Sequence, residues 1–306
     1  MLSSFFSKSK PINYIVVALY MAILFCIAFY KKGFTLENSH ILITIGSMLL
    51  YILPMRMLSA EVQRNDLTQK GTFTILLYAV ITGMLPYSLI NFDILLSSIF
   101  VQLAAQNIVY LKNEKHVNLK ILNASICIGL ASLVCFWSIG FMGLVFFGIL
   151  YFDPKNYKNW IIPVIGLTSV YVLANCFTLL FYDTFFSFSG YIEPVSFSFD
   201  AYLIKDRLFS VVVCAILIVF FFSVYLVKFG KKTASTKPVL NVIIAYFIFA
   251  IAVGLIAPEK NTSELFFIST PLAIIGTTYL EMQYNQFAKE INIWIFILIP
   301  FTLVFF

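Results

Sequence analysis

Residues 121–152 read ILNASICIGLASLVCFWSIGFMGLVFFGILYF, an apolar run without a charged side chain. A bilayer core about 30 Å thick takes about 17–25 apolar residues as helix. The run is therefore too long for one crossing and barely long enough for two. Ser138 and Gly140 are placed to make a tight reversal. Whether the chain turns there decides on which side every later loop lies.

The rest of the chain is of the same kind. It is 61% hydrophobic and 18% aromatic, with 11% charged residues, against about 25% charged in soluble domains. Such a chain is solvated by lipid, so the expected fold is all-α, a polytopic transmembrane helical bundle. Candidate spans are Pro11–Tyr30, Ile41–Met55, Thr72–Ile90, Ile94–Leu111, Ile121–Phe136 and Ile139–Phe152. They continue through Trp160–Tyr182, Leu208–Phe229, Pro238–Ala257, Leu265–Leu280 and Ile293–Phe306.

Charge decides between one crossing and two. Lys and Arg accumulate on the cytoplasmic side. With 11 spans and a cytoplasmic N-terminus, only Lys31, Lys32, Lys205, Arg207 and Lys260 of the 20 cations fall outside, leaving 15 inside. Reading 121–152 as a single helix flips all later loops and gives 11 against 9. The expectation is thus about 11 spans with the C-terminus periplasmic; a hairpin that dips in and returns gives the same loop sides. The first apolar run is too long for a signal-peptide core and no small-x-small site follows it. Lys31 and Lys32 stop it against the inside rule.

The net charge of +6 then reports topology, and nucleic acid is not an expected partner. The Lys228–Lys237 cluster is also suited to anionic headgroups. No second domain, low-complexity tract or internal repeat is visible, so 1–306 reads as a single integral membrane domain with a periplasmic loop at 183–207.

Ionisable groups deep in a membrane are costly and usually functional, and no Asp, Glu, Lys or His lies near the centre of an expected span. That lowers the standing of proton relays and cation-coupled carriers. Gln102 and Gln106 share a helix face, with Asn107 adjacent; they fit either interhelical hydrogen bonds or a polar substrate groove. Pro86 is expected to kink its helix. Cys26, Cys127, Cys135, Cys176 and Cys214 read as small apolar side chains. His40 and His116 fall on opposite sides, and a catalytic metal usually takes three or more protein ligands. No metal or other cofactor is expected.

The acids collect outside. The loop DTFFSFSGYIEPVSFSFDAYLIKDR, residues 183–207, is longer than a connection requires. Its alternating aromatics and serines suit a short strand or an interfacial flap, and Asp200–Arg207 suits a short interfacial helix. Lipid-linked sugar chemistry needs a carboxylate that removes a hydroxyl proton or holds a metal. It also needs a cation for the departing diphosphate, best supplied bidentately by Arg. Glu37, Asp183, Glu193, Asp200 and Arg207 are the candidate catalytic residues, beside His40 and Asp206. Lys205, Gln102, Gln106 and Asn107 are the candidate substrate-binding ones. A solvated external loop is the plainer alternative.

The opening MLSSFFSKSKPINY, the stretch WIIPVIGLTSVYVL from Trp160 and EKNTSELFFISTPLAII from Glu259 resemble an uncharacterised multi-pass inner-membrane protein family of Bacteroidota, especially flavobacteria. Val170 stands where that family's pattern has Pro. The resemblance implies the inner membrane of a Gram-negative bacterium and no settled activity. The arrangement also looks like envelope polysaccharide polymerases and lipid-carrier glycosyltransferases, whose first outer loop usually presents an acid; Glu37 has that place. Members labelled as carotene-cleaving oxygenases would need several His ligands for iron, and two His do not supply them.

Three classes of function remain. One is a cell-envelope polysaccharide polymerase or glycosyltransferase-like enzyme acting on a polyprenyl-linked glycan. Another is a carrier or flippase for lipid-like substrates, and the third a scaffold binding other envelope proteins. All three have membrane lipids as partners.

Overall fold

The computed structural model describes residues 2–31, 41–68, 71–186, 191–230, 236–258, 260–282 and 285–305. Among them the secondary structure is helical, with no strand. Eight helices are long and apolar enough to cross a membrane, and Phe73–Gly83 and Phe136–Phe152 form shorter apolar helices. These dimensions are compatible with a multi-pass membrane protein. The helices are α1 (Leu2–Phe6), α2 (Pro11–Lys31), α3 (Ile41–Arg64), α4 (Phe73–Gly83), α5 (Pro86–Ile90), α6 (Phe92–Val109) and α7 (Val117–Val134). They continue as α8 (Met142–Phe152), α9 (Tyr157–Tyr182), α10 (Lys205–Phe229), α11 (Lys237–Ile256), α12 (Phe266–Glu281) and α13 (Gln286–Phe305).

The chain packs as two units. The first comprises Met1–Leu95, Ser198–Leu240 and Lys260–Phe306; the second comprises Leu96–Phe197 and Asn241–Glu259. In the first, α4 and α12 form the centre. All of α4 is buried, as is α12 except Tyr279 and Glu281. Their contact is small and hydroxylated: Thr277 Oγ1 donates to the Ala273 carbonyl of its own helix at 2.7 Å and lies 3.1 Å from Thr74 Oγ1. Gly276 admits the Phe221 ring, which a Cβ there would meet at 2.9 Å. Close helix approach through small residues is the ordinary route to association in lipid. Outward, α2 exposes Ile12, Ile15, Leu19 and Ile23, and α3 exposes Ile43, Ile45, Leu49 and Leu53.

Pro86 does more than kink a helix. Leu85 leaves helical geometry at φ −117°, ψ 66°, and Pro86 opens the separate helix α5. Proline lacks the N–H a continuing helix needs but suits a first turn. The break leaves α4 only 11 residues long, about 16 Å by helical rise.

At the end of this unit where α4 begins, the Leu2 amide donates to Glu290 Oε1 at 3.0 Å and the Thr72 amide to the Phe6 carbonyl at 2.8 Å. Arg56 lies over Tyr14 and Lys289 over Phe73. The opposite end gathers α5, the 3-10 turns Asp200–Leu203 and Ser263–Leu265, and the starts of α10 and α12.

In the second unit α7 and α9 form the main pair. Their close approaches are Ser125 with Gly166, Gly129 with Val170 and Ser132 with Tyr171. Both numbers rise together, so the two helices run parallel. The intervening chain must therefore return, and it does: α7 ends at Val134, Cys135 is extended at φ −132°, ψ 106°, and a 3-10 segment, Phe136–Phe141, leads into α8. The reversal sits at Cys135, a few residues before Ser138 and Gly140. Ser138 instead secures it, its hydroxyl 2.6 Å from that of Ser97. Both ends of the hairpin come back to one cavity of about 250 Å³ lined by Leu111, Glu114, Val117, Ile121, Ile149, Phe152 and Asp153.

Candidate functional site

The site of interest lies in the first unit, where the chain enters α12. Three residues that sequence reasoning counts merely as loop or helix-start positions are almost fully withdrawn from solvent: Lys260 at 2% exposure, Thr262 at 0% and Glu264 at 4%. The 3-10 turn Ser263–Leu265 feeds directly into α12, so Glu264 lies at a helix N-terminus, where backbone N–H groups favour an acid. The Asn261 side chain accepts from the Ser263 amide at 3.0 Å and fixes the turn. Thr262 itself is left-handed at φ 75°, ψ −9°. A β-branched residue there is a genuine outlier, and such strain persists only where surrounding structure imposes it, often at functional sites.

Neighbouring elements close over this turn. The Tyr202 hydroxyl donates to Glu264 Oε1. Ser88 Oγ donates to the Thr262 carbonyl at 3.3 Å. The Lys260 ammonium lies 5.2 Å from the Phe199 ring centroid, and the Arg207 guanidinium 5.0 Å from that of Tyr87. Arg207 Nη1 also reaches the Ala201 carbonyl at 3.4 Å. Cations stacked on rings in a dry setting are held more firmly than in water.

The electrostatics follow from burial. Desolvation pulls the Lys260 ammonium below the usual lysine range, opposed by the Glu264 charge. Burial, then the charge of Glu264, pushes the Tyr202 hydroxyl above its ordinary value. Tyr202 therefore remains a hydrogen-bond donor at neutral pH. Three polar atoms stay buried without a hydrogen-bond partner among the described residues: Glu264 Oε2, Arg207 Nε and Thr262 Oγ1. Each such atom costs about 1–3 kcal/mol. Thr262 and Glu264 lie on the turn itself, and Arg207 meets Tyr87 and the Ala201 carbonyl beside it.

The residues anticipated from sequence are distributed unevenly around this point. Arg207 is part of it. Asp200 opens the adjacent 3-10 turn but is exposed, and Lys205 is exposed at the first residue of α10. Asp183 and Glu193 are exposed and belong to the second unit, Asp183 as the left-handed residue closing α9 at φ 53°. Glu37 and His40 lie outside the described residues. Gln102 is buried on α6, and Asn107 donates to its own helix at the Leu103 carbonyl, 2.9 Å away. Residues 192–199 carry no regular structure, so the alternating pattern there makes no strand; Phe197 and Phe199 are exposed. Among the described residues no cluster of three metal-ligating side chains occurs.

Sequence reasoning missed Tyr202, Lys260, Thr262 and Glu264 as a set. The available signal was weak: Lys260 and Glu264 flank the entry to an apolar helix in EKNTSEL, residues 259–265. That pattern fits any solvated helix start, and only tertiary contact buries it.

No curated protein and no solved structure matches the chain. A sequence model described as "Family of unknown function (DUF6427)" matches residues 1–306, and the protein belongs to that family.

Proposed function

We propose that this protein is a multi-pass protein of a bacterial inner membrane whose outer end carries a glycosyltransferase-like site for a lipid-carried envelope glycan. The single observation behind the enzymatic reading is the buried pair Lys260 and Glu264, with half-buried Tyr202 bonded to Glu264 and half-buried Arg207 bonded at the neighbouring Ala201 carbonyl. A carboxylate held by a hydroxyl donor is equipped to remove a proton. The Arg207 guanidinium, which meets the Ala201 carbonyl next to Tyr202, suits charge developing on a diphosphate leaving group. Glu264 joins Arg207 in the proposed catalytic set; Asp183, Glu193 and Asp200 are exposed, and Glu37 lies outside the described residues. Lys205, exposed on the same short segment, is suited to meeting an anionic headgroup.

The topology proposed is 11 crossings, N-terminus cytoplasmic and C-terminus periplasmic. Each unit supports it by how its charges sort. In the first, Arg56 and Lys289 share the end where α4 begins, whereas Lys260 and Arg207 occupy the other. In the second, the cavity end carries the loops bearing Lys112, Lys115 and Lys155, and parallel α7 and α9 require a return path between them. The first end of each unit is then the basic, cytoplasmic one.

A deletion strain tests the reading. Loss of the surface-glycan ladder, restored by wild type and not by an Arg207→Ala variant equally abundant in the membrane, is the expected result. An unchanged ladder in the deletion strain would refute the enzyme and leave the scaffold or carrier.

A further inference from the structure

Resting on that reading, we infer that the buried turn receives a neutral hydroxyl of the acceptor sugar, with Glu264 Oε2 as the atom that takes its proton. Glu264 is 4% exposed, its Oε1 is occupied by Tyr202, and its Oε2 accepts nothing among the described residues. Arg207 Nε can only donate, and Thr262 Oγ1 can do either; both are likewise unsatisfied. These atoms lie in one neighbourhood. Arg207 touches Tyr87 and Ala201, Thr262 is bonded by Ser88, and Glu264 by Tyr202, so adjacent residues 87–88 and 201–202 bracket all three.

A phosphate satisfies only part of this set. It brings acceptors and negative charge, which suit Arg207 but meet a carboxylate at Glu264. A sugar hydroxyl offers its proton to Oε2, and the Thr262 hydroxyl on the same turn, held at a positive φ, can donate to its oxygen. The diphosphate of the donor is then left to the Arg207 guanidinium and to Lys205, exposed on the same short segment.

The step balances as follows. The acceptor O–H gives its proton to Glu264 Oε2 while the oxygen lone pair forms a bond to the anomeric carbon of a lipid-diphosphate-linked sugar. The anomeric C–O bond breaks and its electron pair leaves on the diphosphate. Glu264 then passes the proton to water. Tyr202 acts as a positioning residue through Oε1.

The test uses the full chain in lipid nanodiscs, with methyl hexosides and inorganic diphosphate as separate probes in saturation-transfer NMR. Wild type is expected to transfer saturation to a hexoside. Glu264→Gln and Thr262→Val should reduce that signal about tenfold and leave the diphosphate response equal or stronger. Tyr202→Phe, a second variant with a smaller perturbation, should weaken the hexoside signal and shift its pH profile. No hexoside signal in wild type, or one undiminished by Glu264→Gln, overturns the hydroxyl assignment. The wider reading fails separately, if the deletion strain keeps its glycan ladder.

Discussion

Gly166→Ala separates close packing from simple helix propensity because the two effects have opposite signs. A Cβ at Gly166 would stand 2.6 Å from Ser125 Cβ and 3.4 Å from the Leu122 carbonyl oxygen. Carbon atoms prefer about 3.5–4.0 Å, so α7 and α9 must part by about 1 Å. Ser125 Cβ is one bond from the backbone and no rotamer moves it. Overpacking of this kind costs about 1–3 kcal/mol, and the better helix propensity of Ala returns about 1 kcal/mol. The net expectation is a loss of about 0–2 kcal/mol. Reversible unfolding in mixed micelles measures it, with Ser125→Gly as the partner substitution. In the double variant the clash is gone, so coupling of at least about 1 kcal/mol should appear. If Gly166→Ala alone is more stable than wild type, or the double variant shows no coupling, the close-packed pair is wrong.

Thr262→Gly relieves a positive φ and a buried unsatisfied hydroxyl. Strain of about 1–3 kcal/mol less the backbone entropy of Gly, about 0.5–1 kcal/mol, predicts a stability gain of about 1 kcal/mol with loss of glycan complementation; unchanged complementation would count against a working role for Thr262. Lys260 has its proton affinity lowered by burial, so above its folded-state value the unfolded chain binds more protons than the folded one. Wild-type stability in detergent should therefore rise relative to Lys260→Met as pH approaches the ordinary lysine value of about 10.5 from below; a parallel pair of pH profiles would refute the burial. Single cysteines placed at Lys115 and Lys155 should label from the cytoplasmic side only, and one at Ser196 from the outer side only. Labelling of 115 and 155 from opposite sides would overturn the hairpin through Cys135.

The two units show how differently sequence and tertiary structure contribute. Helices long enough to cross a bilayer were legible in the sequence because that property depends only on local apolar length, as in Pro11–Tyr30 or Tyr157–Tyr182. A break in 121–152 was legible too, from the length of its apolar run. Its position was not. Ser138 and Gly140 look like turn residues, but the break falls at Cys135, where the hydroxyl contact of Ser97 with Ser138 and the parallel docking of α7 on α9 set where the chain must turn. Arg207 was legible as a candidate because a cation beside acids stands out in an apolar chain. Glu264 and Lys260 were not, since a charged helix start reads as solvated. Only the closure of Tyr202, Ser88 and Phe199 over that turn removes it from water. Apolar length is a property of a segment, whereas burial of a polar side chain is a property of what packs over it.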